Sequence, residues 1–351
     1  MLKLISIILV FGVIVFIHEF GHFIVAKLNH VKVLEFSIGM GPAIAKFGKK
    51  ETKYCLRLLP IGGYVMMDGQ YEDSDDENAF NNKPAFVKLM VLLAGPFFNF
   101  ILAFILGTII CHVSYIDPAQ IKSVEPNSAA AEAGIEAGDT IISLNGDRVY
   151  NFREIQLFRM TNDPTEPIEV CYERDGKRYD TTVRLKQDKD GNYLFGIVGD
   201  YRAAKDFREE MKFGLCEVRL QMVSVIQTFR MMFNKGFSLD YFAGPVGIAD
   251  AVGNVIDSAT EAAEETNSNV FLMVLLNVVN FTVLLSANLG FMNLLPIPAL
   301  DGGKILVVII EAVMRKKMSQ KAQMVINGIG VAIILLLMVA VLFNDIGKLF
   351  K

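Results

Sequence analysis

His18, Glu19 and His22 lie near the start of the chain and combine side chains that can hold a metal ion with one that can move a proton. On a helix, residues four apart lie about 40° apart around the axis and one turn apart along it, so the two imidazoles can share one ion. Glu19 is turned about 100° from His18. It falls beside such an ion, where a carboxylate can take a proton from activated water. His-Glu-x-x-His is the spacing of metal-dependent peptide hydrolysis. The bland alternative is a set of incidental helix residues, but these sit in the second half of an apolar stretch, Leu4–Ala26, where unpaired polar groups are expensive.

A catalytic zinc takes three protein ligands and keeps a fourth position for water, so a third donor is expected. Asp301 is the best candidate. It closes the run Asn293-Leu-Leu-Pro-Ile-Pro-Ala-Leu-Asp301-Gly302-Gly303, in which Pro296 and Pro298 interrupt ordinary helix and free the backbone to bend toward an ion. A cap or turn aspartate before two glycines is the competing reading. Asn277, Asn280 and Asn288 form a polar stripe on the preceding apolar helix. Asn288 and Asn293, next to the proline-broken segment, are placed to hydrogen-bond an extended chain rather than a neighbouring helix.

The elements that must carry these groups are membrane spans. Among 351 residues, 52% are hydrophobic and 21% charged, which excludes a disordered or wholly solvated chain. The formal net charge of −4 gives no basic signature for nucleic acid, and the four cysteines lie far apart without a zinc or disulfide framework. Leu4–Ala26, Leu89–Cys111, Val270–Leu300 (broken near its end) and Met324–Phe343 each reach the length of one bilayer crossing. The first is longer than a signal peptide's apolar centre and is read as retained. Lys and Arg crowd the connections from Lys27 to Lys88 and from Lys304 to Lys321, which places both on the cytoplasmic side and the long middle segment opposite.

The chain therefore divides into a first membrane part (1–118), a water-soluble mixed α+β module (119–200), an amphipathic helical linker (201–265) and a second membrane part (266–351). In the module, Ile121 begins a strand, Ser128 precedes a small helix, a second strand ends at Asn145-Gly146, and a hairpin turns at Asp175-Gly176. In the linker, Phe207, Met211, Leu215, Val218, Met222, Val225, Phe229 and Met232 form one apolar stripe. That stripe predicts either a face packed on protein or a helix lying on the membrane surface.

His18-Glu-Phe-Gly-His22, Gly39-Met-Gly41-Pro, Leu59-Pro-Ile-Gly-Gly-Tyr-Val65, Gly95-Pro-Phe-Phe-Asn99, Gly244-Pro-Val-Gly-Ile248 and the Asn293–Gly303 run together resemble the site-2 protease family (peptidase family M50), in its RseP-like bacterial branch, over essentially the whole chain. The resemblance implies a multi-pass α-helical membrane protein of about four spans, with a membrane-associated β-hairpin and one inserted extracytoplasmic PDZ domain in the bacterial cytoplasmic membrane. It implies a Zn2+ enzyme of regulated intramembrane proteolysis that cuts transmembrane segments of single-span proteins. Its substrates would be an anti-sigma factor already trimmed by another protease, or signal-peptide remnants; its partners include membrane lipid and exclude nucleic acid. His18, His22 and Asp301 become zinc ligands and Glu19 the general base. Asn288 and Asn293, with Pro296 and Pro298, become substrate contacts; so do Gly62, Gly63, Tyr64 and Val65 of the hairpin, and Asn99. Two departures stand out: one PDZ-like module where some relatives have two, and Lys304 where relatives often carry histidine.

Two other readings remain open from the residues alone. A non-catalytic PDZ-containing membrane scaffold would bind without cutting, and an ion transporter would also use intramembrane His and Asp. Neither accounts for Glu19 beside the histidine pair.

Overall fold

In the computed structural model, which describes residues 2–48, 51–70, 72–236 and 238–349, contacts separate two units: Met1–Ala103 with Leu239–Lys351, and Phe104–Ser238. The stretch 201–265, expected as one linker, is split between them.

The first unit opens with α1 (Leu2–Leu28), an apolar helix with Lys27 in its last turn, ended where His30 takes a left-handed φ of 53°. Two long strands follow, β1 (Val33–Phe47) and β2 (Lys53–Met67). Each is bent, at Gly39 and Gly41 in β1 and at Gly62 in β2, where φ values of 81–85° suit glycine. The bends let residues 33–38 pair on both sides. Phe36 faces Val65 on one flank and Tyr54 on the other, and the second register (Glu35 with Lys53 through Ile38 with Leu56) rises in the same direction along both chains. The expected hairpin is thus a sheet folded back on itself, with residues 63–67 at one margin. Among the described residues no further strand pairs with that margin. Next comes α2 (Ala85–Val113), with Pro96 inside it.

The second unit contains the α+β module. β3 (Ile121–Val124), α3 (Ala129–Glu132), β4 (Thr140–Leu144), β5 (Asp147–Arg148), α4 (Phe152–Thr161), β6 (Ile168–Arg174), β7 (Lys177–Val183), β8 (Lys186–Gln187), β9 (Tyr193–Leu194) and β10 (Ile197–Gly199) follow in order. β5-β4-β6-β7 form one sheet, and β10 pairs with β3. Ser128 and Asn151 cap α3 and α4 through their side chains, each cap contributing about 1 kcal/mol. Ile121, Ile141, Leu144, Phe152, Val170 and Val183 make the core, at about 1.5–3 kcal/mol for each large side chain buried.

In α5 (Phe207–Lys235) the expected stripe is only partly the buried one. Phe207, Met211 and Leu215 are exposed, while Phe213, Cys216 and Leu220 are buried. The reason is partly polar: Arg153 of α4 pairs with both Asp117 and Glu217, and Arg219 pairs with Glu154, so α5 turns these two charged residues toward the module, while Phe213 and Cys216 pack on Cys111 of α2 and Ile116.

The chain then returns to the first unit with α6 (Pro245–Glu265), α7 (Val270–Leu294), α8 (Asp301–Met314) and α9 (Gln320–Leu349). Among the described residues four segments, Ile5–Leu28, Ala85–Val113, Val270–Leu294 and Lys321–Lys348, are long and apolar enough to cross a bilayer. Asp345 of α9 accepts the backbone N–H groups of Gly244 and Gly247 at the start of α6 (2.9 and 2.8 Å), which gives the Gly244-Pro-Val-Gly-Ile248 motif a structural role.

Candidate active site

α1 carries His18 and His22 on one face, and the segment after α7 brings Asp301 to them. α7 stops at Leu294; Leu295 is extended, Ala299 takes a φ of 78°, and α8 begins at Asp301. This tight return requires Gly302 and Gly303. A Cβ at Gly302 would overlap the Leu295 carbonyl, and one at Gly303 would lie 2.9 Å from Pro298 Cα.

Three donor atoms then converge. His18 Nε2 and His22 Nε2 are 3.3 Å apart, and Asp301 Oδ2 lies 3.2 and 3.1 Å from them. All three side chains are buried. Metal–donor distances of about 2.0–2.1 Å in a tetrahedral site imply donor–donor edges of about 3.3–3.4 Å. The triangle therefore fits one face of a zinc tetrahedron, and two imidazoles with one carboxylate suit a dication whose fourth position stays open.

The opposite ring nitrogens are held. His22 Nδ1 donates to the Val91 carbonyl at 2.8 Å, which leaves Nε2 free as a ligand. His18 Nδ1 lies 3.2 Å from the side-chain amide of Asn99, whose Oδ1 is otherwise without a partner. Turning that amide over satisfies both groups: Oδ1 accepts Nδ1–H, and His18 Nε2 faces the ion. Asn99, expected among substrate contacts, is fully buried behind His18 and orients it.

Close approach of α2 makes these contacts possible. A Cβ at Gly95 would overlap His22 Nε2 and lie 2.8 Å from His18 Cε1; one at Gly21 would come 2.6 Å from the Ala94 carbonyl. The small residues that let the helices meet are the visible signal for this packing. The Val91 carbonyl has no such signal, because a main-chain acceptor is not encoded by residue type.

A cavity of about 330 Å³ opens on the triad, lined by Glu19, Gly62, Gly63, Tyr64, Val65 and Asn293 among others. Glu19 packs against the sheet margin: a Cβ at Gly63 would lie 3.1 Å from Glu19 Cγ. Tyr64 is fixed from behind, donating to Glu35 Oε1 at 2.6 Å, where Arg57 also donates. Burial opposes ionisation of Glu35, but the Tyr64 and Arg57 hydrogen bonds outweigh it and hold its pKa below the ordinary carboxylate value. Asn288 is outside this lining, and its Oδ1 is buried without a partner. Pro296 and Pro298 are outside it too, for a packing reason: Pro296 is exposed and Pro298 fills the space left by Gly303 and Gly330.

Residues 6–337 match the sequence profile of peptidase family M50. This chain belongs to peptidase family M50. The M50 chain is 37% identical to a zinc metalloprotease of Clostridium acetobutylicum, covering 97% of its own length and 96% of the relative's. It is 30% identical to the zinc metalloprotease RasP of Geobacillus kaustophilus over 99% and 98%, and 32% identical to the protease eep of Enterococcus faecalis over the whole of both. It is a zinc metalloprotease of the site-2 protease type and an integral membrane protein, with Zn2+ as its cofactor. The PDZ domain of an SdrC-like protein from Listeria monocytogenes is a structural neighbour at 23% identity and a TM-score of 0.22, covering 24% of this M50 chain and 87% of that domain.

Proposed function

We propose that this M50 enzyme hydrolyses a peptide bond inside the transmembrane segment of a single-span protein, on the cytoplasmic side of a bacterial cytoplasmic membrane. The observation that carries the reading is the convergence of His18, His22 and Asp301 beside Glu19, in a cavity reached from apolar helices and bordered by an unpaired sheet margin.

A helix in lipid shields its peptide bonds with its own hydrogen bonds, so cleavage needs local unwinding and a polar enclosure. Residues 63–67 can supply the lost backbone partners by taking the unwound segment as an added strand. Asn293 can hold one of its carbonyl or amide groups. His18, His22 and Asp301 would hold zinc, which supplies a Lewis acid that polarises a carbonyl and brings the pKa of water to about 7. Glu19 takes the proton from the attacking water and returns it to the nitrogen of the leaving amine, so no covalent acyl-enzyme is needed.

In this reading residues 119–200 are an extracytoplasmic PDZ domain that restricts access to substrates whose outer domain has already been removed. An anti-sigma factor trimmed by another protease, or a signal-peptide remnant, fits that description.

The test is to reconstitute the enzyme in lipid vesicles with candidate single-span proteins and locate new chain ends by mass spectrometry. Ends inside the apolar segment support the reading. Ends only in soluble flanks, or none, overturn it.

A further inference from the structure

A second cavity, of about 230 Å³, adjoins the catalytic one, and Gln70, Leu92 and Lys304 line both. Its wall carries Lys88, in the first turn of α2 and only 9% exposed. Other charged groups of the lining are engaged or solvated. Lys317 donates to the Asn81 carbonyl at 3.2 Å, Lys304 sits 3.5 Å from Asp301 Oδ1, and Asp73 is exposed. Glu311 Oε1 accepts from the Met318 N–H and the Gln323 amide at 2.8 and 3.1 Å.

Among the described residues, the Lys88 ammonium makes no hydrogen bond and has no carboxylate within ion-pair distance; Glu311 of the same lining attracts it from farther off, and it lies 6.0 Å from the centre of the Phe80 ring. A largely buried ammonium without a direct counter-ion is costly. The cavity therefore presents a cation with no direct counter-ion.

We propose that this cavity is a substrate subsite for a carboxylate side chain near the scissile bond, with Lys88 as the specificity-determining residue. A substrate side chain is favoured over a lipid headgroup because this cavity shares Gln70, Leu92 and Lys304 with the catalytic one. The reach agrees: Lys88 precedes Leu92 by one helical turn, about 6 Å along the axis, and an extended chain covers that in about two residues. The inference rests on the proteolytic reading and names the substrate class for it: spans with Asp or Glu within about three residues of the cut.

The test uses the full chain in phosphatidylcholine vesicles and one single-span reporter, with each position within three residues of its cleavage site changed in turn to Asp, Asn or Lys. Wild type is expected to favour Asp over Asn by about tenfold in kcat/KM at one position. Lys88→Met should erase that preference, and Lys88→Glu should transfer it to Lys. A flat wild-type profile overturns the subsite and needs no variant. A preference that survives both substitutions also overturns it, as does one that survives while the variants instead lose a stimulation by added phosphatidylglycerol, which would assign the cavity to lipid. Absence of any cleavage overturns the proteolytic reading and the subsite with it.

Discussion

His22 Nε2 lies 3.1 Å from Asp301 Oδ2, although the two residues are 279 positions apart in sequence. The site is created by folding, because α1 brings two donors and the turn after α7 brings the third. Asp301→Ala should lower zinc affinity by more than about a hundredfold. Competition with a chromophoric chelator reads this, and unchanged affinity would assign the third ligand elsewhere.

Gly95 is a position where size alone decides metal binding. Gly95→Ala puts a methyl group against His22 and His18, and overpacking of this kind costs about 1–3 kcal/mol. The expected result is folded protein with a zinc content well below one ion per chain. A lowered melting temperature with full zinc content would show that the helix absorbs the methyl group without moving the ligands.

Asn99 is predicted to act through His18. Asn99→Ala should weaken zinc by about 10- to 100-fold, and Asn99→Asp, which keeps an acceptor for Nδ1–H, should restore much of that affinity. Equal loss in both variants would mean that the amide serves packing alone.

Much of this arrangement was legible in the sequence. The four apolar runs read as spans because lipid tolerates few charges, and His18, Glu19 and His22 read as a unit because helical geometry fixes their relation. Asp301 was legible through Pro296, Pro298 and the double glycine. The folded-back sheet was not, since the two-sided pairing of residues 33–38 depends on bends at Gly39, Gly41 and Gly62, whose closure only the tertiary contacts settle. Asn99 was misplaced for a related reason: an amide on an apolar helix announces a polar contact but not its partner. The stripe on α5 misled because the Arg153–Glu217 and Arg219–Glu154 pairs, with the packing of Phe213 and Cys216 on Cys111 and Ile116, choose the face turned inward.

The start of α5 should be acid-sensitive. Glu209 accepts from Arg202 Nη1 and Nη2 (2.9 and 2.6 Å) and from the Lys205 N–H, and the Arg202 bonds lead in holding its pKa down at about 2, against an ordinary 4.5. A lowered folded-state pKa stabilises the fold fully above the ordinary value, and that contribution is lost as pH falls toward 2. Hydrogen exchange at the first turns of α5 should therefore accelerate, after correction for intrinsic rates, as pH falls below about 4.5, and Glu209→Gln should remove most of that change. A profile identical in wild type and variant would place the acid response elsewhere.

Glu19→Gln separates the base from the metal site, since it keeps the shape of the side chain and leaves His18, His22 and Asp301 in place. Zinc content and cleavage of a single-span reporter are measured on the same reconstituted preparation. Wild-type zinc content with cleavage reduced by at least about a thousandfold is the predicted result. Near-normal cleavage by the variant would remove Glu19 from the chemistry and contradict the mechanism.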